Sequence, residues 1–220
     1  MEKNIILQTT QEFVKKALQN DPAHDWWHTY RVWQLAILIA KKEKADVFVV
    51  QLAALLHDVE DWKFKSNKYK SSLNLLKTRA WLRKCKIEDD TIQKITEIIS
   101  NISFKGLNVK SQLKSLEGMI VQDADRLDAM GALGIARAFS YGGKHKRLIF
   151  DPSKKQIQSV FDLRESDSPS TIHHFYDKLL HLKHLMNTNT GKKIAVNRAK
   201  YLTTFLKQFM KEWHLKDTKN

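Results

Sequence analysis

The chain has 220 residues with a hydrophobic content of 42%, which is enough for one well-buried core but short for a second full domain. Its seven glycines and three prolines are too few for the many hairpins of an all-β fold, and its one cysteine, Cys85, excludes an intrachain disulfide or a cysteine metal cluster. The net charge of +14 favours anionic partners, while the lack of an eighteen-residue apolar run or a signal-type N-terminus predicts a cytoplasmic protein without membrane spans.

Apolar residues recur at helical spacing from the start of the chain. The first predicted helix runs through Lys16 and ends at 20–22, where Asn-Asp-Pro breaks the pattern. A second helix is expected to start near Asp25. Asp46 is the expected N-cap of a third helix, 47–57, which is apolar nearly all round and is therefore predicted to be central.

The remainder of the chain also predicts helices. Gly131 and Gly134 allow close packing or a break within one of them, and the polar segment 142–169 is expected to be a long loop or a lid. The further predicted helices span 68–84, 91–100, 113–141, 170–187 and 192–213. Nothing repeats internally, so we predict one all-α domain over 1–220, closed by C-terminal helices in 170–213.

Polar side chains at the end of an apolar central helix need partners, because an unpaired buried charge is costly. His57 and Asp58 end the third predicted helix, and His28 lies on the second. Three aspartates on a later helix are candidates for a further ligand: Asp123, Asp125 and Asp128. Two imidazoles and two carboxylates from three helices suit a divalent ion and leave coordination positions for water and phosphate.

This pattern resembles that of the HD-domain metal-dependent phosphohydrolases, which have a histidine, then an adjacent His-Asp pair, then a distal aspartate. The match is His28, His57 with Asp58, and Asp125, because the family's distal ligand usually occurs as Ala-Asp-x-Leu, as in 124–127. The resemblance implies an HD-type helical bundle. Four further strings resemble one bacterial subgroup and extend the match over almost the full length: 56–64, 98–106, 123–143 and 174–180.

The subgroup resembles enzymes that split nucleoside triphosphates, including deoxy forms, into monophosphate and pyrophosphate by attack of a metal-bound water. One divalent ion is expected, because two-metal HD enzymes generally add histidines soon after the pair, whereas the next one here is His145. Manganese is the expected metal, with nickel, cobalt, magnesium or iron as alternatives. His24 is expected to support the site or to cap a helix rather than to bind the ion.

The resemblance also implies roles for neighbouring residues. Asp61 is expected to activate or orient water, with Glu60 as its nearest competitor; capping of the following helix is the structural alternative. The residues expected to bind substrate phosphates are Arg31, Lys63, Lys105, Tyr176 and Lys178. Three aromatic residues beside the start of the second helix could stack on a base, but core packing is favoured for them: Trp26, Trp27 and Tyr30.

Two other functions compete with a nucleotide pyrophosphohydrolase. A 5′-nucleotidase or a phosphodiesterase could use the same metal site, because one fold hosts several reactions. A basic nucleic-acid-binding module with a structural metal is less favoured, because no aromatics interleave the lysine-rich stretches and no recognisable motif is present. The expected partner is therefore a nucleotide or another phosphate ester, and the base, the sugar and the oligomeric state are left open.

Overall fold

The structure is a computed structural model that describes residues 2–18, 25–60, 75–102, 113–154 and 168–218. Within these ranges the chain is helical and contains no strand, which confirms the all-α fold class. The described α-helices are α1 (Lys3–Ala17), α2 (Trp26–Glu43), α3 (Val47–Leu56), α4 (Leu76–Lys84), α5 (Asp89–Ile102), α6 (Leu116–Asp128), α7 (Gly131–Lys144), α8 (Thr171–Asp177) and α9 (Asn189–Trp213). None of these helices is both long enough and apolar enough to cross a membrane.

The predicted stretch 113–141 is two helices, α6 and α7, separated by a break at Gly131. The φ angle of Gly131 is +71°, in the left-handed region that glycine adopts without a steric penalty. The α7 helix then continues through three more glycines to Lys144, so that the segment expected to be a loop begins later than position 142. Residues 155–167 of that segment lie outside the described ranges.

The prediction of one continuous α-helix over 170–187 is wrong. The chain instead forms the short α8, then a 3₁₀ helix over Leu179–Leu185. Lys178 separates the two with φ −131° and ψ −57°, values outside the α-helical range. Both segments are helical and bury apolar residues, as the amphipathic pattern predicts, but they do not form one continuous α-helix.

The chain divides into two compact units. The first comprises Met1–Phe104 and Ser111–Asp125, and the second comprises Lys105–Lys110 and Arg126–Asn220. The expectation of one domain over 1–220 stays a prediction.

Helix α3 is the centre of the first unit. It packs against α1, α2 and α5, and five consecutive side chains at its C-terminal end are fully buried: Leu52, Ala53, Ala54, Leu55 and Leu56. Asp46 caps its start, since one carboxylate oxygen accepts the N–H groups of Phe48 and Val49. The N–H of Asp46 also donates to the Glu117 carboxylate on α6 at 3.1 Å. The start of α3 is therefore held by hydrogen bonds, and its end is held by burial in the core.

Helix α9 is the longest element of the second unit, with 25 residues that pack on α7 and on the 3₁₀ helix. Its inward face carries Ala195, Ala199, Leu202 and Leu206. From the same helix, the guanidinium of Arg198 donates to the carbonyl of Leu127. Arg126 donates likewise to the carbonyl of Leu185. Both arginines thus bind carbonyls near helix ends, and the Leu127 carbonyl also accepts the N–H of Met130 at 3.0 Å.

Candidate metal centre

Two helix termini place the histidines of the candidate centre. His28 lies in the first turn of α2, and the side chain of Asp25 accepts its backbone N–H at 2.8 Å. His57 is the C-cap of α3 and keeps helical dihedral angles of φ −61° and ψ −32°. Both rings are buried, with 1% of His28 and 8% of His57 exposed.

Nitrogen and oxygen atoms of four side chains converge within the first unit. Oδ2 of Asp58 lies 3.3 Å from Nε2 of His28 and 3.3 Å from Nε2 of His57. Oδ1 of Asp125, on α6, lies 3.6 Å from Nε2 of His28. One ligand atom each from His28, His57 and Asp125 lies within 4.8 Å of the others, a spacing that could hold a metal ion. Because the side chain of Asp125 is 35% exposed, the centre borders solvent on that side.

A backbone carbonyl determines which nitrogen of His57 can bind a cation. Nδ1 lies 2.7 Å from the carbonyl oxygen of Ala54. A carbonyl only accepts, so Nδ1 carries the proton, and in the neutral ring Nε2 presents its lone pair. Among the described residues, this buried Nε2 has no hydrogen-bond partner, yet it faces a carboxylate oxygen of Asp58 at 3.3 Å. Two facing acceptors repel each other unless a proton or a cation lies between them.

The donor set therefore fits a divalent cation. Imidazole nitrogen and carboxylate oxygen together suit Mn²⁺, Fe²⁺, Co²⁺, Ni²⁺ or Zn²⁺. The hydrogen bond from Nδ1 to a carbonyl is also the usual way in which a metal-binding histidine is oriented. The sequence does not predict that the carbonyl of Ala54 orients His57, because every residue has a backbone carbonyl.

Of the three candidate aspartates, Asp125 belongs to the cluster. Asp128 instead forms an ion pair with Arg137, at 2.8 Å, within the second unit. Asp123 is fully buried. The amide of Gln122 donates to the carbonyl of Ile102 at 3.1 Å, which joins α6 to the end of α5 beside the centre.

Glu60 makes contacts that differ from those expected of a catalytic residue. Its two carboxylate oxygens accept the N–H groups of Lys77 at 3.0 Å and Thr78 at 2.9 Å. These N–H groups lie in the first turn of α4, where they have no carbonyl partner within the helix. Glu60 thus caps α4 from outside it, and its catalytic role stays a prediction. Asp61 lies outside the described residues.

The predicted phosphate-binding residues fall in three places. Arg31 is half-buried on α2, one turn after His28. Tyr176 and Lys178 are half-buried residues of the second unit, and burial raises the pKa of the Tyr176 hydroxyl. Lys63 and Lys105 lie outside the described residues, as does His24.

The aromatic residues of α2 are more exposed than expected. The side chain of Trp27 is 60% exposed, so the prediction that it packs in the core is wrong. Tyr30 is 37% exposed. Tyr30 contacts Trp26, Trp27 and Trp33, with ring centroids 5.9–6.0 Å apart. Cys85, by contrast, is buried at the end of α4, and burial raises the pKa of its thiol, as suits a packing role.

Comparison with known proteins gives one family. The family model described as HD domain matches residues 26–130, a range that includes all four residues of the cluster. The Bacillus subtilis protein YpgQ is 37% identical over 191 residues, which cover 86% of this chain and 84% of YpgQ.

Solved structures agree with this match. A protein from Lactobacillus plantarum superposes with a TM-score of 0.82 at 36% identity, covering 98% of this chain and 100% of that one. An HD-superfamily hydrolase from Bacillus thuringiensis gives 0.75 at 39% identity, with 97% and 99% covered. YpgQ in complex with ADP gives 0.78 at 32% identity, with 96% and 97% covered.

Proposed function

The chain belongs to the HD domain family of metal-dependent phosphohydrolases, and from this premise we propose that it cleaves nucleoside or deoxynucleoside triphosphates to monophosphate and pyrophosphate. The observation that carries the proposal is the convergence of His28, His57, Asp58 and Asp125. Nucleotides are the proposed substrate class because the related YpgQ has been solved with ADP. A net charge of +14 also suits a polyanionic substrate.

We assign the four clustered side chains to one divalent cation, with manganese as the proposed metal. Such an ion supplies Lewis acidity, because it lowers the pKa of water toward about 7 and polarises a phosphoryl oxygen. His57 presents Nε2 in a preset orientation, since Nδ1 is held by Ala54. Asp125 is the most exposed of the four and borders the side from which a phosphate can approach.

Asp61 is the proposed residue for orienting or deprotonating the attacking water. Glu60 is the competing residue, but both of its oxygens already accept N–H groups of α4. A carboxylate whose two oxygens both accept backbone N–H groups is held at the start of α4 and has less acceptor capacity left for a water. We therefore favour Asp61 over Glu60 for this role.

Cationic and hydroxyl side chains are the proposed phosphate contacts. Arg31 follows His28 on the same helix by three residues, so both side chains lie on one face of α2. A guanidinium at this offset is suited to bidentate contact with phosphate oxygens. The remaining proposed contacts are Lys63, Lys105, Tyr176 and Lys178.

A panel of nucleotides assayed with several divalent ions tests the proposal. Pyrophosphate and inorganic phosphate are measured separately, because the first product indicates pyrophosphohydrolysis and the second indicates a nucleotidase. We expect pyrophosphate and monophosphate in equal amounts from at least one triphosphate. Release of inorganic phosphate from monophosphates, or cleavage of phosphodiesters alone, would refute the proposed reaction and favour the alternatives on the same site.

Two variants link the activity to the cluster. Asp58→Ala removes an anionic ligand and is expected to lose both the bound metal and the activity. Asp217→Ala is the matched control, because Asp217 is exposed after the end of α9. Stoichiometric metal in the purified Asp58→Ala protein, measured by mass spectrometry, would contradict the ligand assignment.

A further inference from the structure

The outward face of α9 carries a row of lysines that the proposed hydrolase site does not use. The lysine stripe consists of Lys193, Lys200, Lys207 and Lys211, all exposed. Successive intervals of seven, seven and four residues keep the four positions within about 40° of one another around the helix axis. At about 1.5 Å per residue, the stripe is about 27 Å long.

The stripe contains no compensating charge. Between its lysines lie Asn197 and Thr204, exposed and uncharged. The one acidic residue of α9 is Glu212, which accepts the amide of Gln208 at 2.7 Å. Within the described parts of the chain, no carboxylate pairs with any of the four lysines.

The stripe belongs to the more basic part of the molecule. The described residues of the second unit, 126–154 and 168–218, include fifteen lysines and arginines against five aspartates and glutamates. Ten of the fourteen net positive charges of the chain therefore lie in these residues. A concentrated field of this kind attracts a polyanion and speeds its association.

We propose that the lysine stripe binds the phosphate backbone of a nucleic acid. Lysines seven residues apart are separated by about 10.5 Å along the helix, which matches about every third phosphate of a strand at 3.4 Å per nucleotide. Asn197 and Thr204 supply hydrogen-bonding groups between the charges, as phosphate and sugar contacts require. Tyr201, 65% exposed, borders the stripe and offers a surface on which an unpaired base can stack.

An anionic membrane fits this surface less well. A helix that lies in a membrane interface inserts an apolar face beneath its cationic one. The inward apolar residues of α9, including Ala199, Leu202 and Leu206, are buried within the protein. Its exposed apolar residues, Val196, Tyr201 and Trp213, lie at different angles around the helix axis and form no continuous apolar face. The exposed side of α9 is therefore mainly polar and cationic, which suits a solvated phosphate backbone.

Binding of fluorescein-labelled 30-nucleotide probes tests the proposal. Single-stranded DNA, duplex DNA and single-stranded RNA are titrated by fluorescence anisotropy at several salt concentrations, with the full-length protein. The test variant carries Lys193→Gln, Lys200→Gln, Lys207→Gln and Lys211→Gln. The control variant loses the same charge from four exposed lysines of the first unit: Lys41, Lys42, Lys94 and Lys114.

We expect the test variant to bind on the order of a hundredfold more weakly than the control at 50 mM salt. Its plot of log affinity against log salt should be shallower by about 3, because each phosphate contact contributes about 0.7–0.9 to the slope. The pair Lys193→Gln/Lys200→Gln should lose about half of that slope, and so should the pair Lys207→Gln/Lys211→Gln. These half variants keep the test informative if the fourfold variant does not fold.

Three results would overturn the proposal: no binding of any probe by the wild type, equal binding by the test and control variants, or binding of phosphatidylserine vesicles without binding of nucleic acid. The His57→Ala substitution should leave probe binding unchanged, because the stripe shares no residue with the candidate metal centre. The inference can therefore fail or hold independently of the proposed hydrolase activity.

Discussion

At the level of single residues, the candidate centre depends on a contact inside one helical turn. The carbonyl of Ala54 accepts Nδ1–H of His57, three residues later, and so turns Nε2 toward Asp58. This orientation comes from the end of α3 itself, whose last residues are fully buried. A ligand held in advance loses little rotational freedom when it binds a cation, which favours binding.

Glu60 offers a test that separates structural from catalytic roles. Glu60→Ala removes both hydrogen bonds to the start of α4 and should lower the free energy of unfolding by about 1 kcal/mol, the usual contribution of a helix cap. Urea denaturation measures the loss. Glu97→Ala, at an exposed position on α5, is the control and should change the stability little.

The same residue also has a kinetic test. Glu60→Gln keeps an acceptor oxygen but cannot act as a base, so we expect it to retain most of the turnover if Asp61 has the catalytic role. Loss of all turnover without loss of stability would instead assign the catalytic role to Glu60.

At the level of helices, the sequence predicted most elements because their apolar faces recur at regular spacing. The end of α1, the start of α2 and both ends of α3 lie close to their predicted positions. The prediction failed over 170–187, where buried polar side chains impose a tertiary geometry. Ser168, for example, donates to Asp177 at 3.0 Å inside the protein. Buried side-chain contacts of this kind override helical periodicity and leave no periodic signal.

Alanine substitutions at two glycines of α7 are expected to change the stability of the protein in opposite directions. A Cβ at Gly134 would collide with the carbonyl of Ala129, whereas a Cβ at Gly143 would meet nothing within 4 Å. Gly134→Ala should therefore destabilise the protein by about 1–3 kcal/mol, as overpacking does. Gly143→Ala should stabilise it by up to about 1 kcal/mol, through helix propensity.

Urea denaturation of both α7 variants, beside the wild type, measures these shifts. Both substitutions add the same methyl group to the same helix, so each is the control for the other. Equal shifts of the same sign would show that the backbone does not approach Gly134 as closely as described.

At the level of the whole molecule, a bound ion should stabilise the folded protein, because the unfolded chain does not hold the four ligands together. At a free metal concentration of 100 times Kd, the gain is about 2.7 kcal/mol, or about 5–10 °C in Tm for a chain of this size. Differential scanning fluorimetry with manganese and with EDTA measures the shift.

The metal-dependent shift has its own controls. His57→Ala should lose it, because Nε2 of His57 belongs to the cluster. His214→Ala should keep it, because His214 is exposed beyond the end of α9. A shift of the same size in both variants would mean that the ion binds elsewhere.

The sequence predicted the types of residue in the centre better than it predicted their surroundings. Histidines and aspartates on predicted helices suggested His28, His57 and Asp58, and the resemblance to the HD family selected Asp125 among three nearby aspartates. The caps at Asp25 and Glu60 involve backbone N–H groups, and the N–H groups that Glu60 binds are seventeen and eighteen residues away. Contacts to the backbone do not depend on side-chain identity at the partner, so a single sequence does not reveal them.

The bond between Arg198 and Leu127 also affects the order in which the protein folds during synthesis. The two residues are 71 positions apart, and Arg198 also packs against Gly131 at the start of α7. A ribosome that adds about 5–20 residues per second needs about 4–14 s to make that stretch of chain. During this interval the end of α6 lacks its arginine partner. The nascent second unit therefore completes its folding only after the first part of α9, through Arg198, has left the ribosome.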